Sequence, residues 1–105
     1  MSSDPVVSVW IITYNHEAFI AKTIESAINQ NCNFKFEVVI GEDCSKDKTR
    51  QIVKEYAAKY PDIIVPLLSE KNEGAKANAV KTLQHCRGRY IAFLEGDDYW
   101  TCSSQ

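Results

Sequence analysis

Three carboxylates within four residues, at positions 95, 97 and 98, form the part of the sequence best suited to chemistry. They follow residues 90–94, a short apolar run of the kind that forms a buried strand. Neighbouring carboxylates disfavour each other's ionisation unless a cation lies between them, and hard divalent ions take carboxylate oxygens. Residues 95–100 therefore predict a metal site at the end of a strand, with an acidic turn in solvent as the alternative.

Four strands and three helices are predicted to position these acids. The strands are apolar and rich in β-branched residues, and are expected at 6–12, 36–40, 63–68 and 90–94. The helices have apolar residues at helical spacing, and are expected at 17–29, from a cap at Ser45 or Asp47 to about 59, and at 75–86. Asn15 or His16 is expected at the N-terminus of the first helix.

The third strand and third helix carry more specific predictions. Pro66 lies inside the third strand and lacks a backbone N–H, so this strand is expected at an edge of the sheet. Ala79, Val80 and Leu83 are expected to face the core. Gly88 is expected to act as the C-cap that ends the third helix.

The alternation of strands and helices predicts a Rossmann-like, three-layer α/β fold, with a parallel sheet and helices on both faces. With the third strand at an edge, the strand order is 3-2-1-4, and the winding reverses between strands 1 and 4. Ligands of such sheets bind outside the carboxyl ends of the strands at this switch point. The polar residues at these ends are Thr13, Tyr14, Asn15, Glu42, Asp43, Asn72, Gly74, Glu95, Asp97 and Asp98.

The composition is that of one soluble globular domain. The chain has 105 residues, a net charge of −2, 45% hydrophobic residues and 25% charged residues. We expect no nucleic-acid partner, because there is no basic excess, and no membrane-spanning segment or signal peptide. The chain is therefore expected to be cytoplasmic, with its four cysteines as free thiols.

The polar rim suits a phosphate group that arrives together with a divalent metal. Tyr14 could stack on a base, and Glu42 or Asp43 could accept hydrogen bonds from a base edge or a ribose. These residues predict a nucleotide diphosphate bound with Mg²⁺ or Mn²⁺. Structural alternatives remain for single residues: Asn15 as a helix cap, and Lys76 as a surface lysine.

Four segments resemble the family 2 glycosyltransferases, in the family's order and approximate spacing. They are VSVWIITYN at 7–15, GEDCSKDKT at 41–49, NEG at 72–74 and FLEGDDYW at 93–100. The resemblance covers nearly the whole chain, from Val6 to Thr101. It implies the GT-A fold and a nucleotide-activated sugar as the donor.

The resemblance also implies roles for individual residues. Glu42 stands where the family usually has an aspartate that recognises the base, usually uracil. Asp97 corresponds to the contact with ribose and diphosphate, and Glu95 to the leading acid of the motif. The predicted nucleotide-binding residues are Thr13, Tyr14, Asn15, Glu42, Asn72, Lys76 and Asp97, with Asp98 as the metal ligand.

Residues 1–105 are expected to form a single partial domain, the donor-binding half of the enzyme. Family members continue into an acceptor-binding half that carries the catalytic base, so no catalytic residue is assigned here and transfer by this chain alone is not expected. The intact enzyme would transfer a sugar, with a UDP-sugar as the expected donor, to a glycan or lipid-linked acceptor in polysaccharide biosynthesis. The resemblance allows its peripheral association with a membrane. A sheet cut at this point is expected to expose apolar surface and to self-associate.

Two other classes of protein share parts of this pattern. A receiver-like signalling module would also have a parallel sheet and an acidic, Mg²⁺-binding rim, but such modules carry an acidic pair after the first strand, where this chain has Thr13, Tyr14 and Asn15. A dinucleotide-binding oxidoreductase would need a G-x-G-x-x-G turn after that strand, and the sequence lacks one.

Overall fold

A computed structural model describes residues 5–29 and 35–95 of the chain. Strands and helices alternate through these residues. In chain order they are β1 (Val7–Thr13), α1 (Ile20–Ile28), β2 (Phe36–Glu42), α2 (Thr49–Lys59), β3 (Ile64–Leu68), α3 (Ala75–Gln84) and β4 (Tyr90–Glu95). None of the three helices has the length and apolar character that crossing a membrane would require in this described part of the chain.

The strands form one parallel sheet in the order β3-β2-β1-β4, which confirms the predicted order. β2 is buried along almost its whole length, because it lies between β1 and β3 and is covered on both faces. β3 lies at an edge, where the missing N–H of Pro66 leaves no gap in the ladder with β2. The winding reverses between β1 and β4, so the switch point lies at the carboxyl ends of these two strands.

One face of the sheet carries the apolar core. Val9 and Ile11 of β1 pair with Val38 and Ile40 of β2, so all four side chains point to the same face. They pack with Ile20, Ile24 and Ala27 of α1, Val53 of α2, Ile64 of β3 and Leu94 of β4. This burial holds α1 and α2 against the sheet, because apolar area removed from water stabilises the fold by about 25 cal/mol per Å².

The other face is covered by α3, and the contact there is polar. Gly41 of β2 has no side chain, and a Cβ at this position would lie 1.9 Å from Thr82 Oγ1. Asn78 and Thr82 are buried, and Asn78 Nδ2 donates a hydrogen bond of 2.9 Å to the carbonyl oxygen of Gly41. The predicted helices on both faces are therefore confirmed, with α3 closer to the sheet than a side chain at position 41 would allow.

This contact corrects the predicted orientation of α3. Val80 and Leu83 were expected to face the core, but they are 51% and 38% exposed. The physical reason is that the sheet surface under α3 offers a backbone carbonyl, so the polar Asn78 and Thr82 face the sheet instead. The two polar side chains four residues apart, Asn78 and Thr82, therefore lie on the buried side of α3.

Several predicted helix ends also differ from the structure. α1 begins at Ile20 rather than 17, with Phe19 as its N-cap and no side-chain cap, so neither Asn15 nor His16 caps it. α2 begins at Thr49 after Lys48, although Asp47 Oδ1 accepts a hydrogen bond of 2.9 Å from the N–H of Thr49.

Gly88 is not the C-cap of α3, because the helix ends at Gln84 with His85 as its C-cap. Gly88 instead lets the turn before β4 lie against β1. A Cβ on Gly88 would lie 2.5 Å from the backbone nitrogen of Ser8, and its N–H donates a hydrogen bond of 2.7 Å to Ser8 Oγ.

Candidate functional site

A cavity of about 340 Å³ lies at the carboxyl edge of the sheet. Its volume falls within the range of about 300–1,000 Å³ that is typical of small-molecule sites. Its wall comes from the ends of β1, β2 and β4, the loop after β3 and the first turns of α3. The lining residues are Ile12, Thr13, Tyr14, His16, Asp43, Asn72, Gly74, Ala75, Asn78 and Glu95.

The loop after β1 is held against the loop after β2 by hydrogen bonds. The N–H of Asn15 donates to Ser45 Oγ at 2.8 Å, and Asn15 Oδ1 accepts from the N–H of Lys46 at 2.9 Å. The N–H of His16 donates to Thr49 Oγ1 at 2.7 Å. Asn15 has a φ of 56°, a left-handed conformation that asparagine tolerates better than most residues. Asn15 therefore joins two loops of the site and does not line the cavity.

Thr13 and Tyr14 line the part of the cavity that β1 provides. Thr13 is buried, and its Oγ1 lies 2.9 Å from Nδ1 of His16, which also lines the cavity. Tyr14 is half-buried and also lines the cavity. This wall combines hydroxyl groups, an imidazole and an aromatic ring.

Glu42 is fully buried behind the loop after β2 and does not line the cavity. Its Oε1 lies 3.2 Å from the N–H of Cys44 and 3.0 Å from Nη1 of Arg50. Its Oε2 accepts from the N–H of Ser45 at 2.8 Å. Arg50 also donates to the carbonyl oxygen of Ser69 at 2.7 Å, so the Glu42 carboxylate joins β2, α2 and the end of β3.

Asp43, the next residue, lines the cavity and is buried, with only 2% of its surface exposed. Its Oδ1 accepts from the N–H of Glu73 at 2.8 Å, and its Oδ2 accepts from the N–H of Gly74 at 2.9 Å and from Asn72 Nδ2 at 3.2 Å. Gly74 has a φ of 96°, which favours glycine and turns the chain into α3. Asp43 therefore holds the loop after β3 in place beside the cavity.

Asn78 is a lining residue that was not predicted from the sequence. It is buried at the base of the cavity, where its side chain is held by the carbonyl oxygen of Gly41. A signal was present in the sequence, because Asn78 and Thr82 stand four residues apart on a helix whose apolar stripe is weak. Gly41, the hydrogen-bond partner of Asn78, is remote in the chain, so the sequence did not indicate what the polar side of α3 contacts.

The structure brings together only some of the predicted site residues. Thr13, Tyr14 and Asn72 line the cavity, whereas Asn15 and Glu42 lie beside and behind it. Lys76 lies on a different part of α3, in a surface groove that it shares with Glu73, Val80 and Lys81.

The predicted metal ligand Asp98 and the predicted ribose and diphosphate contact Asp97 lie outside the described residues. Glu95, the leading acid of the same motif, is described and lines the cavity. No group of three or more His, Cys, Asp or Glu side chains that could hold a metal ion occurs within residues 5–29 and 35–95.

The order of the sheet and the polar cavity at its switch point define a parallel α/β domain of the class that binds ligands at the carboxyl edge. Comparison with known proteins identifies the family within this class. The family model described as glycosyl transferase family 2 matches residues 8–103. The chain belongs to this family, and its fold is GT-A.

Three similar proteins illustrate the relationship. An uncharacterized protein of Mycobacterium tuberculosis is 42% identical over 95 residues, covering 90% of this chain and 28% of the relative. TuaG of Bacillus subtilis, named for glycosyl transfer in teichuronic acid biosynthesis, is 38% identical over 96 residues, covering 91% and 37%. The crystal structure of S. aureus TarS 1–349 in complex with UDP is 34% identical with a TM-score of 0.74, covering 89% and 28%.

The chain therefore spans between 28% and 37% of the length of these proteins. Family membership decides between the two main alternatives raised by the sequence. It supports the glycosyltransferase, and it leaves the receiver-like signalling module without support.

Proposed function

We propose that this chain binds the nucleotide-diphosphate sugar donor, a UDP-sugar, of an inverting glycosyltransferase of polysaccharide biosynthesis. The observation that carries the proposal is the cavity of about 340 Å³ at the carboxyl edge of the sheet, in a chain of the glycosyl transferase family 2. The similar protein TarS supports UDP as the nucleotide, because its structures are in complex with UDP and, at 35% identity to this chain, with UDP-GlcNAc.

The nucleoside is proposed to lie against Thr13 and Tyr14. Tyr14 lines the cavity, so its ring is proposed as the stacking surface for the base, and stacking on an aromatic side chain contributes about 1–3 kcal/mol. Asp43, rather than Glu42, is proposed to accept a hydrogen bond from the base or the ribose. Both carboxylates are buried and accept hydrogen bonds within the chain, but Asp43 lines the cavity and Glu42 does not.

The diphosphate is proposed to bind together with Mg²⁺ or Mn²⁺, with Asp98 as the metal ligand and Asp97 at the ribose and diphosphate. Support comes from Glu95, which brings the start of the acidic motif to the cavity. Carboxylate oxygens are preferred ligands of both ions, and the bound cation would offset the negative charges of the diphosphate and the acidic motif.

The transfer step is proposed to need residues beyond these 105. An inverting transfer requires a base that removes the proton of the acceptor hydroxyl, and none is assigned within this chain. We therefore propose that the chain alone binds the donor without transferring the sugar. In the intact enzyme the acceptor would be a glycan or a lipid-linked sugar. A cytoplasmic location, with peripheral membrane association of the intact enzyme, remains part of this proposal.

Titration calorimetry with UDP tests the proposal. We expect UDP to bind in the presence of Mn²⁺ or Mg²⁺, to lose affinity when the metal is chelated, and to lose it in Asp98→Ala. Asp62→Ala is the matched control, because Asp62 is an exposed aspartate in the turn before β3, at the opposite edge of the sheet. Equal affinity with and without metal would contradict the metal role. Absence of UDP binding by the folded wild-type chain would contradict donor binding itself.

A further inference from the structure

The side-chain amide of Asn78 is buried at the base of the cavity and held in one orientation. Asn78 is 2% exposed and lines the cavity. Its Nδ2 lies 2.9 Å from the carbonyl oxygen of Gly41 in β2. A carbonyl oxygen only accepts hydrogen bonds, so the nitrogen of the amide, and not its oxygen, must face it. The amide therefore cannot exchange the places of its oxygen and nitrogen without losing this bond.

The oxygen of the same amide has no strong hydrogen-bond donor in the described part of the chain. Its neighbouring donor there is Thr82 Oγ1, at 3.4 Å. The hydroxyl of Thr82 has a single hydrogen, and it donates that hydrogen to the backbone carbonyl oxygen of Asn78 at 2.6 Å. Nδ2 carries two hydrogens, and Gly41 accepts one of them. Asn78 thus retains one acceptor and one donor, although buried polar groups are normally paired.

The floor of the cavity runs across three neighbouring strands. Gly41 of β2 pairs with Ile12 of β1, and Ile12 pairs with Glu95 of β4. Ile12 and Glu95 line the cavity, and Asn78 lies over Gly41, where an added Cβ would lie 2.7 Å from Asn78 Oδ1. Neighbouring strands are about 4.8 Å apart, so the floor extends roughly 10 Å from Gly41 to Glu95. It has an amide at one end and a carboxylate at the other.

We propose that the Asn78 amide recognises the base of the donor nucleotide, an inference that rests on the proposed function and adds a specificity-determining residue to it. The diphosphate and its metal belong at the end where Glu95 begins the acidic motif, so the base lies at the other end, beside Asn78. Oδ1 accepts from N3–H of uracil, and the second hydrogen of Nδ2 is donated to O4. Gly74 and Ala75, which line the cavity at the start of α3, leave room for a flat ring.

Cytosine presents the opposite pattern at the same two positions, because its N3 accepts and its 4-amino group donates. The amide could match cytosine only by turning over, and the bond from Nδ2 to Gly41 opposes that turn. The carboxylate of Asp43 only accepts hydrogen bonds, so it cannot supply the donor that O4 requires. With N3–H bound by Asn78, Asp43 accepts from the ribose. Asn78 thus distinguishes a uracil nucleotide from a cytosine nucleotide.

Titration calorimetry with UDP, CDP and 2′-deoxy-UDP, each with Mn²⁺, tests this role. The wild-type chain is expected to bind UDP at least about tenfold more tightly than CDP, because cytosine would leave the buried amide unpaired. Asn78→Ala should bring the affinities for UDP and CDP to within about threefold of each other. The two ligands differ only in the base, so a general loosening of α3 would lower both affinities and leave their ratio unchanged. Removal of the 2′-hydroxyl should weaken binding to the wild type and to the variant by the same factor.

Asn78→Ser is a second variant, which keeps a hydroxyl donor for the carbonyl of Gly41 and should lose the same preference. Thr82→Ala is the matched control, because Thr82 belongs to the same buried contact but does not line the cavity, and it should keep the wild-type ratio.

Three results would overturn the role of Asn78. They are equal binding of UDP and CDP by the wild type, an unchanged ratio in the Asn78 variants, and an Asn78 variant that becomes insensitive to the 2′-hydroxyl instead of the base. The second and third leave donor binding intact and refute only the reading of the base. Absence of UDP binding by the folded wild-type chain would refute the proposed function together with this inference.

Discussion

Replacing Glu42 with glutamine tests whether this residue stabilises the fold or contacts the nucleotide. The buried carboxylate accepts hydrogen bonds from the N–H groups of Cys44 and Ser45 and from Arg50. A glutamine keeps one acceptor oxygen, but its NH₂ group must then face one of these donors. Arg50 also loses the negative charge that balances it. The substitution therefore disturbs the fold wherever the nucleotide binds.

The expected loss of stability follows from these contacts. A hydrogen bond to a charged group contributes about 1.5–3 kcal/mol, and removing one partner of a buried ion pair costs about 3–5 kcal/mol. The side chain of Arg50 is 32% exposed, so water can solvate part of its unpaired charge. We therefore expect a loss of about 3 kcal/mol for Glu42→Gln. With an m-value of about 1.5 kcal/mol/M, the urea midpoint should fall by about 2 M.

Urea unfolding followed by circular dichroism measures this change, and calorimetry with UDP on the folded variant measures binding. Glu55→Gln is the control, because Glu55 is an exposed carboxylate on α2 that contacts Gln51, and its substitution should change stability by less than about 0.5 kcal/mol. Suppose that Glu42→Gln is as stable as the wild type but binds UDP about tenfold more weakly, or 1.4 kcal/mol. Glu42 would then contact the nucleotide directly, and its role in stabilising the fold would be refuted.

Two further substitutions test the contacts that hold the helices. Gly41→Ala should destabilise the chain by about 2–3 kcal/mol in urea unfolding, because its Cβ would lie 1.9 Å from Thr82 Oγ1 and push α3 from the sheet. Adding Thr82→Ala to the same chain should recover part of this loss. If the losses of the two substitutions are strictly additive, the clash is contradicted. Burial, with a hydrogen bond to Glu25, raises the pKa of Tyr56 to about 12. The folded state thus holds the phenolic proton of Tyr56 more tightly than the unfolded state does. The contribution of this proton to the free energy of unfolding is therefore complete below pH about 10 and is lost as the pH rises towards 12. Tyr56→Phe should remove this part of the pH dependence, and an unchanged pH profile of unfolding would contradict it.

The order of the sheet could be predicted because it depends on local patterns. Continuous β-branched runs separate strands from amphipathic helices, and Pro66 marks β3 as an edge strand. The strand ends of a parallel sheet meet at one edge, so Thr13, Tyr14 and Asn72 were correctly expected near one another. Their roles in nucleotide binding stay predictions.

The start of α1 could not be predicted as well, because its N-terminal residues bond to another part of the chain. Asn15 looks like a helix cap in the sequence, yet its side chain accepts from the N–H of Lys46 in the loop after β2. His16 is likewise held by Thr49 of α2 through its N–H. Local helix signals compete here with bonds between residues about thirty positions apart, and the tertiary bonds prevail.

The sequence by itself determined the alternation of elements, the parallel sheet and its order, the edge that carries the polar residues, and the resemblance to the family to which the chain belongs. Only the tertiary structure decided which of the two acids lies at the cavity, because the partners of both come from distant segments. Asp43 lines the cavity and accepts from the N–H groups of Glu73 and Gly74, whereas Glu42, the last residue of β2, is paired with Arg50 of α2. It also decided which side of α3 is buried, since Asn78 finds the carbonyl of Gly41 only when two distant segments pack together.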